Sequence, residues 1–245
     1  MDLKGNTILI TGGSSGIGLE LAKRLAEHNK ILICGRSSEK LQSAKYAVPS
    51  IEYLQCDLAL KNEREKLFEW IKSEHSDTNV LVNNAAITHN TNFVDDPEIT
   101  EKAELEIAIN YLAPVHLSKL FLPLLEKNKS PKLIYITTGL VYTPRVAYPI
   151  YCSTKAALHS FITGFRFKNA NAKYGIIEVL MPAVDTPWHN GNPPKIAIPV
   201  EQAVQEMLSG LNKGNREIKI ASVKKLYKIS RLAPKLALKL INKLD

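Results

Sequence analysis

Thr11-Gly12-Gly13-Ser14-Ser15-Gly16-Ile17-Gly18 is the stretch that decides the fold. It follows the short apolar run 6–11 and opens the amphipathic stretch Ile17–His28, so the glycines stand between a strand and a helix. Without a Cβ, glycines let backbone approach a pyrophosphate closely, and Gly18 lets the helix pack tightly on the strand. The helix N-terminus adds free N–H donors and a dipole that favours phosphate charge. The competing reading is a tight turn whose glycines serve backbone geometry only.

Outward from this loop the pattern alternates. Ile31–Cys34 is the next apolar run and Ser38–Tyr46 looks helical, then Ile51–Gln55 reads as a strand, Lys61–Ser73 as a helix and Asn79–Val82 as a strand. A long helical pattern spans 98–127, disturbed at Pro114 and Pro123; Leu133–Thr137, helical Tyr151–Tyr174 and Ile176–Met181 follow. Short, nearly continuous apolar strands alternating with helices indicate a parallel sheet covered on both faces. The fold class is α/β: a Rossmann-type doubly wound parallel sheet flanked by helices, with ligands expected at the carboxyl ends of the strands. One nucleotide-binding domain over 1–222 is expected, followed by a basic extension over 223–245.

Composition agrees with a soluble globular chain: 245 residues, 45% hydrophobic and 23% charged. No apolar run is expected to approach the ~18 residues of a membrane span, and the N-terminus shows no signal-peptide architecture. Cys34, Cys56 and Cys152 are odd in number and widely spaced, which suits reduced thiols in a cytoplasmic protein. The six histidines show no ligand spacing, so no metal is expected. Of the net charge of +8, residues 223–245 carry seven Lys/Arg against Asp245, or +6, which leaves about +2 for the rest. Aromatic and basic residues do not interleave as on a nucleic-acid platform, and none is expected as a partner.

Tyr151 and Lys155 stand four residues apart at the opening of a predicted helix, one turn apart on one face. A nearby cation favours the phenolate, so Lys155 is expected to lower the Tyr151 pKa and make it a candidate general acid/base. By itself the pair is also compatible with an ordinary helix surface.

Several motifs recur in order. The glycine motif lies at 11–18, Asp57 and Leu58 fall in Cys-Asp-Leu, and Asn83-Asn84-Ala85-Ala86 follows the fourth strand. Asn110 comes next, then Thr138, Tyr151-x-x-x-Lys155 and Pro182-Ala183-Val184-Asp185-Thr186. Over residues 3–222 the chain resembles the short-chain dehydrogenase/reductase family. Within it, Pro182-Ala183-Val184 and the basic tail resemble the DltE-like bacterial oxidoreductases.

The resemblance implies cofactor contacts from Gly12, Ser14, Ser15, Gly16, Ile17, Gly18, Asp57, Leu58, Asn84, Ala85, Ala86, Tyr151, Lys155, Pro182, Val184 and Thr186. It implies a catalytic tetrad of Asn110, Thr138, Tyr151 and Lys155, with Asn110 holding a relay water. The second strand ends in Cys34-Gly35-Arg36-Ser37, with no carboxylate for a ribose 2′-hydroxyl. Arg36 suits a 2′-phosphate and Ser37 adds a hydroxyl, so NADP(H) is expected before NAD(H), the alternative being an Arg36 that merely ends a strand in solvent.

Three departures stand out. Thr138 replaces the family serine, keeping the hydroxyl but stiffening χ1; Thr137 is its neighbour on the opposite face. Ala86 and Ala183 replace glycines and resist positive φ. Pro187-Trp188-His189-Asn190-Gly191-Asn192-Pro193-Pro194 reads as a lid or a plain loop. Specificity is expected there and at Thr88–Phe93 and Leu140–Tyr148, where Tyr142 and Tyr148, with Trp188, suggest an apolar pocket.

The expected function is an NADP(H)-dependent oxidoreductase acting on a small carbonyl or alcohol of apolar character. A catalytically weak nucleotide sensor or scaffold of the same fold is the alternative, and a lipid or acyl substrate at a membrane a third. The resemblance implies pairing through the long helices near 100–127 and 151–173, as a homodimer or homotetramer. For the tail, split by Pro234, packing of its apolar face on the domain or a second subunit is favoured over contact with an anionic membrane.

Overall fold

The computed structural model describes residues 3–189 and 191–243. In chain order the elements are β1 (Thr7–Thr11), α1 (Gly16–Leu25), β2 (Lys30–Gly35), α2 (Ser38–Ala47), β3 (Glu52–Gln55), α3 (Lys61–Glu74) and β4 (Val80–Asn83). Then come α4 (Ile99–Ile107), a π turn over Ala108–Leu112, α5 (Ala113–Leu125), β5 (Lys132–Thr138) and α6 (Pro149–Lys168). β6 (Gly175–Met181), β7 (Val184–Asp185), β8 (Ile198–Pro199), α7 (Val200–Asn212), β9 (Glu217–Lys219), α8 (Val223–Leu232) and α9 (Pro234–Ile241) complete the chain.

Seven strands form one sheet in the order β3-β2-β1-β4-β5-β6-β9, every pair parallel. The order reverses direction beside β1, which pairs with β2 on one side and β4 on the other. The crevice at the carboxyl ends of these strands is the ligand position of a doubly wound sheet.

Period-2 alternation divides the strand side chains between two covered faces. Ile8, Ile10, Ile31, Ile33, Val80 and Val82 meet α1, α2 and α7 through Leu21, Leu41 and Met207. Leu9, Leu32, Leu81, Leu133 and Tyr135 meet α3, α5 and α6 through Leu67, Leu117, Phe121 and Leu158. With both faces covered, β1 is buried along its whole length, which is why it reads as a continuous apolar run.

The stretch Ile99–Leu125 corrects one expectation, because it is long and apolar enough to cross a membrane by length and composition. Ile109, Leu117, Phe121 and Leu125 on it are buried inside the protein, while Ile107 and Leu112 are exposed. The π turn within it has a covalent cause. Pro114 has no N–H to offer the carbonyl of Asn110 four residues back, and its ring crowds that turn.

The elements α7 and β9 and the short parallel pair β7–β8 are additions to the sequence reading. α6 ends at Lys168, short of the expected Tyr174, where Asn169 closes the helix and leaves a turn before β6.

Candidate active site

The turn after β1 forms a cradle without side chains. Gly12 has φ +65°, and a Cβ on it would meet Ala85 Cα at 3.0 Å. On Gly18 a Cβ would lie 2.4 Å from the Gly12 carbonyl oxygen, so α1 docks on the loop only through glycine there. Ser15 precedes α1 in an extended conformation with no side-chain cap, and the N–H groups of its first turn face the loop uncapped. Thr11 and Asn84 clamp this arrangement. Thr11 Oγ1 accepts from the N–H groups of Asn84 and Ala85 at 2.9 and 3.0 Å, and Asn84 Nδ2 donates to the Thr11 carbonyl at 2.9 Å. The side chain of Thr186, at the end of β7, closes the far side, 3.4 Å from where a Gly16 Cβ would stand. Such a cradle, with helix N–H donors at its base, fits the pyrophosphate of a dinucleotide.

Beyond β2 and β3 a cavity of about 480 Å³ opens between Arg36, Leu54, Gln55, Asp57 and Lys66. Gln55 donates to the Arg36 carbonyl at 2.9 Å, so the Arg36 backbone is held while its side chain stays exposed. Ser37 accepts from Lys40 N at 3.2 Å as the α2 cap, which leaves its O–H free to donate. Asp57 accepts from Ala59 N at 2.9 Å, and Leu58 is buried beside it.

At the carboxyl end of β5, Thr138, Tyr151 and Lys155 come together. The Thr138 hydroxyl lies against the Tyr151 phenol and favours its ionised form. Thr137 instead donates to Glu178 at 2.6 Å, as expected for the opposite face. Lys155 is buried, its Nζ donating to the Ile136 carbonyl at 3.0 Å and lying 5.9 Å from the Tyr151 ring centroid. Burial lowers Lys155 to about 8, opposed by the charge of Glu178. Here the electrostatics depart from expectation: burial, then Cys152 and Glu106, raise the Tyr151 pKa well above its usual value. Desolvation of the phenolate outweighs a lysine that points at a backbone carbonyl.

Asn110 is fully buried in the π turn. Its amide brackets Ile87, accepting from Ile87 N and donating to Ile87 O at 2.9 Å each, and donates to Thr154 at 3.2 Å. Both amide hydrogens are thus spent. The main-chain carbonyl of Asn110 lacks its regular helical donor because of Pro114. Ala86 and Ala183 have ordinary negative φ, so neither position demands glycine here. Val184 is buried, and Ile198 N donates to the Ala183 carbonyl at 3.0 Å, fastening the base of the 186–197 loop. Trp188, in a 3-10 turn at Pro187–His189, stands edge-to-face on Tyr151 at 5.7 Å. Asn190 in that loop lies outside the described residues. Tyr142 does not join Trp188; it packs on His159 and Tyr227 at 5.6 and 4.9 Å. Tyr148 leads into α6, under the Arg145 guanidinium.

Two buried carboxylates escaped the sequence reading. Glu106 accepts from His89 N at 2.7 Å and pairs with His89 Nδ1 at 2.8 Å, pinning the loop after β4. Glu178 on β6 meets His159, one turn beyond Lys155. An acid inside an apolar strand such as Ile177-Glu178-Val179 was the available signal, since such a group needs a partner.

Comparisons with known proteins agree with this fold. The family model described as short chain dehydrogenase matches residues 6–196. The protein called uncharacterized oxidoreductase DltE of Bacillus subtilis (strain 168) is 44% identical over 224 residues, covering 89% of each chain. Among solved structures, a short chain dehydrogenase from Burkholderia cenocepacia J2315 in complex with NADP superimposes with TM-score 0.84 at 23% identity, covering 98% of this chain and 99% of that one. One from Burkholderia phymatum in complex with NAD also gives 0.84, at 14% identity, covering 100% and 98%. Both are likenesses of fold. The chain belongs to the short-chain dehydrogenase/reductase family of oxidoreductases.

Proposed function

We propose that the protein is an NADP(H)-dependent oxidoreductase that interconverts a carbonyl and an alcohol, with Tyr151 as general acid/base. The observation that carries this reading is the meeting of Thr138, Tyr151 and buried Lys155 at the strand ends beside the glycine cradle. When bound, the nicotinamide supplies or accepts the hydride.

The cradle from Gly12 to Gly18, with Ser14, Ser15 and Ile17, holds the pyrophosphate on the α1 N-terminus. Asp57 and Leu58 hold the adenine, and Arg36 and Ser37 the 2′-phosphate. Asn84, Ala85, Ala86, Pro182, Val184 and Thr186 border the nicotinamide side. Thr138 orients the substrate oxygen and Tyr151 gives it a proton. A raised phenol pKa keeps Tyr151 protonated at neutral pH, the form a carbonyl reduction uses. Lys155 supports the phenolate that remains, and Asn110 holds a relay water through its main-chain carbonyl. Trp188 over Tyr151 suits a substrate with an apolar body. Pairing of copies through α4–α5 and α6 belongs to the same proposal.

The test is a panel of aldehydes, ketones and alcohols followed by nicotinamide absorbance with each cofactor. Turnover that disappears in Tyr151→Phe, with NADPH binding kept, supports the assignment. Tight NADPH binding with no turnover across the panel makes the protein a nucleotide sensor instead. For the hydroxyl partner, Thr138→Ser is expected to work and Thr138→Val to fail; an active Thr138→Val ends that role.

A further inference from the structure

The segment after β9 carries a feature that the oxidoreductase chemistry does not use. α8 and α9 contact each other across Ala233, with Pro234 opening the second helix. α8 is seated on the domain. Val223 is buried against Gly139, where an added Cβ would stand 2.9 Å from Val223 Cγ2. Tyr227 edges onto Tyr142 and carries the Lys219 ammonium over its ring at 4.4 Å. After α9, Asn242 accepts from Val146 N at 2.7 Å and donates to the Pro144 carbonyl at 3.2 Å. The hairpin is therefore clasped to the segment that leads into Tyr151.

Packing on the domain, the arrangement favoured from sequence, describes α8 but only one stripe of α9. Ala237 is buried, while Leu236, Leu238 and Leu240 are 50%, 44% and 43% exposed, and Leu232 at the bend is 87% exposed. Leu236 and Leu240 share one face of α9, a turn apart, and Lys235 and Lys239 run beside them. Seven cations (Lys224, Lys225, Lys228, Arg231, Lys235, Lys239 and Lys243) lie between 223 and 243 with no acid among them.

Charge decides which occupant fits. In a two-fold pair the same patch meets itself, which would set seven cations against seven. A nucleic acid would use the cations but leave the leucines in water. An anionic lipid surface uses both, with ammonium groups at the headgroups and leucines at the acyl boundary. We propose that the α8–α9 hairpin docks the protein on an anionic lipid surface through Leu232, Leu236, Leu240 and the surrounding lysines.

The test is co-sedimentation of the full chain with vesicles of phosphatidylcholine alone and with phosphatidylglycerol added at about one third. Binding is expected only to the mixed vesicles and is expected to weaken as salt is raised. Leu236→Ser with Leu240→Ser, at exposed sites, should keep the circular dichroism spectrum and Tm and lose about tenfold or more in binding. Lys235→Glu with Lys239→Glu should do the same. Absence of binding to mixed vesicles, or equal binding to neutral ones, overturns the proposal. So does a dimer in sedimentation velocity that the serine pair converts to monomer while vesicle binding is unchanged, since the face then belongs to a second copy. None of these readouts depends on catalytic activity.

Discussion

The His159 imidazole holds its Nδ1 2.9 Å from both carboxylate oxygens of Glu178, a side chain with no solvent exposure. Thr137 donates to the same carboxylate at 2.6 Å and Arg166 stands 3.9 Å away. The pair sits behind Lys155, and the Glu178 charge is what opposes the burial that lowers the lysine.

Glu178→Gln keeps the shape and loses the charge. The lysine then gives up its proton at lower pH, so the alkaline limb of the kcat/KM profile moves down from near 8. An alkaline limb that stays in place would show that Glu178 is purely structural. Glu178→Ala, which strands Arg166 and His159, is expected to cost about 3–5 kcal/mol in urea unfolding.

Lys155 itself burdens the fold. Its folded pKa of about 8 lies below the usual ~10.4 of the unfolded chain, a gap equivalent to roughly 3 kcal/mol. Because the folded pKa is the lower one, the cost is full below pH 8 and fades as pH rises toward the unfolded value. Lys155→Met is therefore expected to gain about 1–3 kcal/mol of stability at pH 7 and almost none above about pH 10.5, while losing activity. Urea melts at the two pH values check this; a less stable variant at pH 7 contradicts it.

Arg36 stands exposed at the rim of the cavity beyond β2. Arg36→Asp replaces a donor fork by a charge that repels a phosphate, so NADPH affinity is expected to fall by about tenfold or more with NADH little changed. Titration of both cofactors by fluorescence decides it, and equal losses would remove Arg36 from the 2′-phosphate site.

Two glycines in helices have opposite expectations. Gly18→Ala forces a Cβ to within 2.4 Å of the Gly12 carbonyl oxygen, costing about 1–3 kcal/mol and nucleotide binding. Gly164→Ala in α6 meets nothing within 4 Å and should gain about 0.5–1 kcal/mol, with catalysis intact. Thermal unfolding with and without NADPH separates the two.

Trp188 over Tyr151 narrows the space above the phenol. Trp188→Ala removes an aromatic contact of about 1 kcal/mol, so relative kcat/KM should shift about fivefold toward bulkier carbonyls. The NADPH Kd should hold steady; a selectivity that does not move would place the substrate elsewhere.

Much of this protein was legible because its signals are local. The unbroken apolar run Ile8-Leu9-Ile10 already states a doubly covered strand, and a glycine run between strand and helix states a tight turn. Lys155 falls one turn from Tyr151 by helical period alone. α7 and β9 were missed because their places depend on distant partners: Met207 and Leu211 of α7 cover the same sheet face as Ile8 and Val82. β9 is three residues long and is a strand only because β6 pairs with it.

What the sequence by itself determined is the layered α/β architecture, the glycine cradle and the helical pairing of Tyr151 with Lys155, all written in backbone covalent geometry and short-range periodicity. Tertiary structure alone decided that burial, not the lysine, governs the Tyr151 phenol, that Glu178 and His159 stand behind Lys155, and that the α9 leucines remain uncovered. These are matters of desolvation and of contact between residues far apart in the chain, and they exist only once the layers have closed on one another.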